Sequence, residues 1–142
     1  MEFTEEEKTA ITYMWFRMSK KVDFYGADAL ERLRWSCPQI QVLLKDFDQS
    51  TNSADYRSFG AKLLTAIGEA TNHLDNLEES LANITDLHAK NLKIGAGNFR
   101  LLAQCIMQVM AANFPEEFTT EVQAAWDKFF VAIATILQTK YR

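Results

Sequence analysis

Apolar residues recur at intervals of three and four positions in one segment after another, while strand-like alternation is scarce. This period is typical of amphipathic helices, so the sequence predicts an all-α fold. We expect a first helix to begin at "TEEE", where Thr4 and Glu7 form a capping box, and to run to about Lys20. A second helix passes through "GADALERLRWSC" and ends at Pro38, because proline restricts the residue before it.

The second half of the pattern predicts four further helices. The polar segment "PQIQVLLKDFDQSTNSAD" indicates one short helical turn and an irregular connection. A long helix follows in "YRSFGAKLLTAIGEATNHLDNL", and a shorter one from about Leu81 to Asn91 carries His88. Two long helices close the chain, one beginning near Phe99 and one behind "TTEVQ", where Thr120 and Gln123 are expected to form a second capping box.

Length, charge and cysteine content limit the class of protein. The 142 residues predict one domain over 1–142. The net charge is −4 and basic residues are scattered, so we expect neither nucleic acid nor a membrane as partner. The acidic N-terminus has no signal-peptide pattern, which favours the cytoplasm. Cys37 and Cys105 are expected to be buried free thiols.

Candidate chemistry is confined to one histidine. No phosphate-binding loop, Cys-x-x-Cys pair or His-Glu-x-x-His helix is present, so we do not expect an enzyme. His88 lies beside an apolar stripe, where it is either a hydrogen-bonded structural residue or an axial iron ligand between helices. Spacing alone does not decide between the two. His73 lies among polar residues and is expected at the surface.

Several blocks of the chain resemble a known family. The run "LHAKNLKIGAGNFRLLAQC" is similar to the proximal-histidine helix of vertebrate haemoglobin and the helix after it, and "EFTTEVQAAWDKFFVAIATILQTKYR" is similar to the end of its alpha-type chains. The blocks "YGADALERL", "HLDNL" and "MAANFPEEF" extend the resemblance in the same order. The block "QAAWDKF" is closer to the alpha-D and mu-like branch than to the common adult alpha chain.

The resemblance implies a globin fold of six to eight helices around a haem, with His88 as the proximal iron ligand and a role in oxygen binding and transport. It implies that Lys62 lies at the pocket mouth near a propionate. It also implies a set of residues in contact with the haem: Phe59, Leu63, Leu44, Phe47, Ile84, Leu87, Leu92, Asn98, Phe99, Leu102, Ile133 and Leu137.

The chain departs from the family mainly on the distal side. Phe59 replaces the distal histidine and has no donor, so we expect oxygen to bind about ten- to a hundredfold more weakly, and carbon monoxide to be less affected. Leu44 replaces an aromatic wedge, which predicts faster haem loss. Leu63 is larger than the usual valine. Arg34 replaces an aromatic residue. In one interpretation its stem lies along the apolar face and its head reaches solvent or a carboxylate. In the other, the pocket or the subunit contacts are remodelled.

The resemblance also implies subunit contacts, of which one set is altered and one retained. At the sliding contact Gln39, Val42 and Lys45 replace two threonines and a proline, and "KIGAG" lacks the usual Asp-Pro. The more rigid alpha–beta contact is retained, which favours a dimer with a beta-type chain, or self-association, over a cooperative tetramer. Its residues, together with the terminal pair, are Arg32, Cys105, Phe118, Gln123, Asp127, Tyr141 and Arg142.

Two hypotheses therefore remain. The first is a haem protein that binds oxygen or carbon monoxide in the cytosol of the erythrocyte. The second is a globin that has lost reversible oxygen carriage and serves a structural or partner-binding role. Redox or nitric-oxide chemistry is disfavoured because no general acid, base or redox cysteine is identified beside the distal site.

Overall fold

The computed structural model describes residues 2–81 and 99–140. Within them the secondary structure is entirely helical, which confirms the predicted all-α class. Short 3₁₀ segments at Ser19–Lys21 and Thr71–His73 follow the first and fourth helices. The α-helices are α1 (Glu5–Met18), α2 (Val22–Ser36), α3 (Pro38–Leu43), α4 (Ala54–Ala70), α5 (Leu77–Ser80), α6 (Phe99–Asn113) and α7 (Thr120–Lys140).

The capping box predicted for α1 is present. The hydroxyl oxygen of Thr4 accepts a hydrogen bond from the backbone N–H of Glu7 at 3.1 Å, and the Glu7 carboxylate accepts one from the Thr4 N–H at 2.8 Å. Both bonds satisfy backbone donors that the first helical turn leaves unpaired. The α-helix ends at Met18, two residues before the expected Lys20, and continues as the 3₁₀ turn.

The cap predicted for the last helix is wrong by one residue. α7 begins at Thr120, and the hydroxyl of the preceding Thr119 accepts a hydrogen bond from the N–H of Val122 at 3.3 Å. Thr119 and Thr120 have the same hydroxyl group, so either could cap the helix. Because the helix begins at Thr120, Thr119 is at the capping position. Thr120 is therefore a residue of the helix rather than its cap.

The crossing of α2 over α4 brings two backbones into direct contact. A Cβ atom added to Gly60 would lie 2.3 Å from the carbonyl carbon of Gly26, and one added to Gly26 would lie equally close to that of Gly60. Only two glycines allow helices to approach this closely. The crossing fixes the position of Phe59, the residue before Gly60, relative to α2.

Aromatic side chains of α6 and α7 form the centre of the core. Trp126 is fully buried and lies 5.3 Å from Phe129 and 5.4 Å from Phe130, measured between ring centroids. Phe130 in turn meets Phe99 of α6 at 6.0 Å. Edge-on and tilted ring pairs of this kind add to the free energy gained by burial. The high aromatic content of the chain is therefore partly explained by this cluster.

Several further expectations concern single residues. Cys37 and Cys105 are buried free thiols, and His73 is exposed, as predicted. The helix expected from Leu81 to Asn91 lies outside the described residues except for Leu81, a buried turn residue. None of the described helices combines the length and the apolar character needed to cross a membrane.

Candidate functional site

Three positions of α4 form the side of the site that the resemblance assigns to the distal pocket. Leu63 is buried, Phe59 is partly buried and Lys62 is exposed. Residues three and four apart are neighbours on a helix surface, so the two apolar side chains lie together and the lysine lies at their solvent edge. This side is therefore apolar with a cation at its rim.

The connection between α3 and α4 adds a second apolar group. Leu44, directly after α3, is buried, and Phe47 is partly buried. The Phe47 ring packs edge-on against Tyr56 at 5.5 Å and against Phe59 at 6.0 Å. The loop and the first turns of α4 are thus joined by three rings. An aromatic ring remains at Phe47 even though Leu44 is aliphatic.

The resemblance assigns residues of α6 and α7 to a further part of the site. Phe99 and Leu102 of α6 are fully buried, and so are Ile133 and Leu137 of α7. Their spacing of three and four residues places each pair on one helix face. Together the two helices offer aliphatic and aromatic surface with no charged group among these four residues.

Five predicted residues fall outside the described part of the chain. They are Ile84, Leu87, His88, Leu92 and Asn98. Among the described residues, no three His, Cys, Asp or Glu side chains lie close enough to hold a metal ion together. A single axial histidine does not need such a cluster.

The described residues suit a haem by their chemistry. Haem is a flat, largely apolar ring with two carboxylates, and sites for such cofactors are mostly apolar with a few polar groups that orient the ligand. Buried Leu44, Leu63 and Phe99 supply apolar contacts, and the exposed ammonium of Lys62 is available to a carboxylate at the rim. The described residues therefore fit a haem through their apolar surface and through the positive charge of Lys62 at the rim.

Arg34 is partly exposed and has partners that the sequence did not identify. Its guanidinium donates to the side-chain oxygen of Gln49 and, at 3.5 Å, to the hydroxyl of Tyr56. The Trp35 ring lies 4.9 Å and the Tyr56 ring 5.8 Å from the guanidinium carbon. The guanidinium therefore contacts an amide and a phenol near the surface, where solvent or a carboxylate was expected around it.

Gln49 and Tyr56 were not identified from the sequence. The Gln49 side chain bonds to Arg34, to Tyr56 and to the loop backbone, while Tyr56 is fully buried. A polar loop residue resembles any solvated residue in sequence, and the three partners belong to α2, the loop and α4. The one sequence feature that pointed to this group of residues was the unusual arginine at position 34.

Most of the residues that the resemblance assigns to the retained alpha–beta contact lie in the described part of the chain. Arg32 donates to Asp28 at 3.1 Å and to Gln108 of α6 at 3.5 Å. Phe118 is partly buried, Gln123 is exposed, and Asp127 pairs with Arg100 at 3.4 Å. Tyr141 and Arg142 lie outside the described residues.

Cys105 lies beneath this surface rather than on it. Only 2% of the residue is exposed. Burial raises the pKa of the Cys105 thiol, and a hydrogen bond with Ser36 lowers it to a smaller extent. The thiol therefore stays protonated at neutral pH and acts as a small packed side chain.

Comparisons with known proteins agree with this geometry. The globin family profile matches residues 27–137. The chain therefore belongs to the globin family, in its haemoglobin alpha-type branch. It is 44% identical to the haemoglobin larval subunit alpha of Pleurodeles waltl, 42% to the haemoglobin subunit pi of Gallus gallus and 39% to the haemoglobin subunit zeta of Homo sapiens. Each similarity covers all 142 residues and the full length of the relative.

Proposed function

We propose that this chain is a single-domain, haem-binding alpha-type globin that carries oxygen and is not an enzyme. The observation that supports the proposal most directly is the burial of apolar side chains on α4, α6 and α7 at the positions that the resemblance assigns to haem contact. Full-length similarity to haemoglobin subunits supports the same function.

In this proposal His88 would hold the haem iron through its imidazole. By the resemblance, Ile84, Leu87, Leu92 and Asn98 would add further contacts to the haem. Bound haem supplies an iron centre that takes up oxygen and carbon monoxide reversibly. Leu63 and Phe59 exclude water from the opposite side, and Lys62 pairs with a propionate. Neutral imidazole is the form that binds iron, so the site loses its ligand when the histidine becomes protonated.

Phe59 makes the distal side unusual. A phenyl ring has no N–H or O–H group, so it gives no hydrogen bond to a gas ligand. This favours weak oxygen affinity and a smaller effect on carbon monoxide, which is less polarised. The same substitution, together with Leu44, supports the second candidate function, in which the fold is kept while oxygen carriage has been lost.

Subunit assembly completes the proposal. We place a beta-type chain, or a second copy, on the surface formed by Arg32, Phe118 and Gln123, with Cys105 packed beneath it. The altered positions Gln39, Val42 and Lys45 favour a dimer over a cooperative tetramer. If the family role applies, the protein works in the erythrocyte cytosol.

The two histidines of the chain allow a matched experiment. Haemin is added to the unmodified protein, to His88→Ala and to His73→Ala, and the absorption spectrum is recorded before and after reduction with dithionite and exposure to carbon monoxide. We expect a Soret band that shifts with carbon monoxide in the unmodified protein and in His73→Ala, because His73 is exposed. We expect that response to be lost in His88→Ala.

Two outcomes contradict the proposal. A folded protein whose spectrum does not change with haemin favours the structural or partner-binding role instead. A response in His88→Ala equal to that of the unmodified protein shows that another group holds the iron.

A further inference from the structure

The side-chain amide of Gln49 has every hydrogen-bonding position filled. Its nitrogen donates to the backbone oxygen of Leu44 at 2.6 Å and to that of Phe47 at 2.8 Å. Its oxygen accepts from the hydroxyl of Tyr56 at 2.9 Å and from the guanidinium of Arg34. A primary amide has two N–H donors and two acceptor positions, so this residue has no remaining capacity.

The partners of Gln49 come from three separate elements. Arg34 lies in the last turn of α2, Tyr56 lies in the first turn of α4, and the two carbonyls belong to the connection between α3 and α4. Tyr56 is fully buried and its ring meets Phe47 at 5.5 Å. The group therefore ties the loop to two helices at once.

The two carbonyls matter because of the residues that carry them. Leu44 directly follows α3, and its carbonyl accepts from the backbone N–H of Phe47 at 3.0 Å as well as from Gln49. Leu44 and Phe47 are also the two residues of this connection that the resemblance places in contact with the haem. Leu44 has less contact area than the aromatic wedge of the family, so its position depends more strongly on the backbone that holds it.

We propose that Arg34, Gln49 and Tyr56 form a polar clamp that positions Leu44 and Phe47 against the haem and slows haem loss. The inference rests on the proposed function, since it concerns retention of the same cofactor. The three residues do not touch the haem in this proposal; they act as positioning residues through the loop backbone. The clamp offsets part of what the missing aromatic wedge costs.

The first variant is Gln49→Ala, which removes all four hydrogen bonds. The rate of haem transfer to an excess of a haem-scavenging apoprotein is measured, together with hydrogen exchange of the backbone N–H of Phe47 in the haem-free protein. That N–H donates to the Leu44 carbonyl at 3.0 Å and so reports directly on the loop. We expect haem loss to be about tenfold faster and the exchange of this N–H to be accelerated.

Two further variants separate positioning from a general effect on stability. Gln49→Glu keeps an acceptor for Arg34 and Tyr56 but cannot donate to the two carbonyls, so we expect it to lose haem as fast as Gln49→Ala while the thermal midpoint stays close to that of the unmodified protein. Gln41→Ala is the matched control. Gln41 lines the same surface cleft and donates only to the Arg34 carbonyl, at 3.2 Å, so we expect unchanged haem loss.

Failure of the clamp is distinguishable from failure of the proposed function. Haem uptake by all variants with equal rates of haem loss in Gln49→Ala and the unmodified protein overturns the clamp alone. Haem loss that is accelerated equally in Gln41→Ala also overturns the clamp, because the effect then belongs to the whole cleft rather than to the hydrogen bonds of Gln49. No haem uptake by the unmodified protein overturns the proposed function, and with it the role of the clamp in haem retention.

Discussion

At the scale of single residues, Phe59 is the side chain that we expect to set gas binding apart from that of the family. Its ring is partly buried and packs edge-on against Phe47 at 6.0 Å, so it is held in place rather than free to leave the distal side. Replacement by histidine restores a donor at the same position. We expect Phe59→His to raise oxygen affinity by about ten- to a hundredfold, because a hydrogen bond to a charged group contributes about 1.5–3 kcal/mol.

The comparison of two gases and two variants isolates the hydrogen bond. Oxygen and carbon monoxide equilibrium constants are measured for the unmodified protein, Phe59→His and Phe59→Leu. Leucine changes the size of the side chain without adding a donor, so we expect it to leave the ratio of the two affinities nearly constant. A similar gain for both gases in Phe59→His would instead show that the phenyl ring acts by crowding.

Residue roles differ in how far the sequence reveals them. The exposed position of His73 and the buried thiols of Cys37 and Cys105 follow from local polarity and were predicted correctly. The assignment of His88 came from the family resemblance, because spacing alone fits a structural histidine equally well. Gln49 was missed because its four partners are adjacent only after α2, the loop and α4 have come together.

At the scale of elements, the contact between α2 and α4 depends on two glycines. We expect Gly60→Ala to destabilise the protein by about 1–3 kcal/mol, because the added methyl group would lie 2.3 Å from the backbone of Gly26. Alanine gains about 1 kcal/mol in helix propensity, and the clash between two backbones outweighs that gain. Urea unfolding of the haem-free protein, followed by circular dichroism, measures the change.

Ser58→Ala is the control for this substitution. Ser58 is an exposed residue of the same helix, two positions away, so we expect its free energy of unfolding to change by less than about 0.5 kcal/mol. A Gly60→Ala protein as stable as the unmodified one would mean that the helices can move apart at little cost. The position of Phe59 would then be less strictly fixed than the crossing indicates.

The element boundaries show where local sequence signals are sufficient. Thr4 and Glu7 cap α1 as predicted, since the two side chains and the backbone groups they satisfy lie within four residues. At α7 the same signal occurs at two adjacent threonines, and the structure places the cap at Thr119. Local patterns identified the described long helices but not all of their ends: α4 ends at Ala70, before the expected "TNHLDNL", and α2 begins at Val22, before "GADALERLRWSC". The close approach of α2 to α4 was not foreseen because it depends on residues 34 positions apart.

At the scale of the whole molecule, two exposed apolar residues distinguish the proposed contact surfaces. Trp35 is 73% exposed, lies three residues after Arg32 near the end of α2, and lines a surface cleft with Gln41, Lys45 and Gln49. Val42 is 65% exposed and lies on α3, at the altered sliding contact. An exposed indole is a frequent centre of binding energy in protein interfaces, whereas valine is under-represented there. Assembly through the retained surface should therefore depend on Trp35 much more than on Val42.

Sedimentation velocity of the chain alone and in a mixture with a vertebrate beta-type globin chain tests this difference. We expect Trp35→Ala to weaken association by about tenfold or more, and Val42→Ala, the matched control on the sliding contact, to leave it unchanged. The unmodified chain should form dimers without a cooperative tetramer, because the sliding surface has lost its two threonines and its proline. Tetramers that dissociate in Val42→Ala but not in Trp35→Ala would contradict this assignment, because the main contact would then lie on α3. In that case Gln39 and Lys45 would form a new interface at the positions where the family's contact is altered.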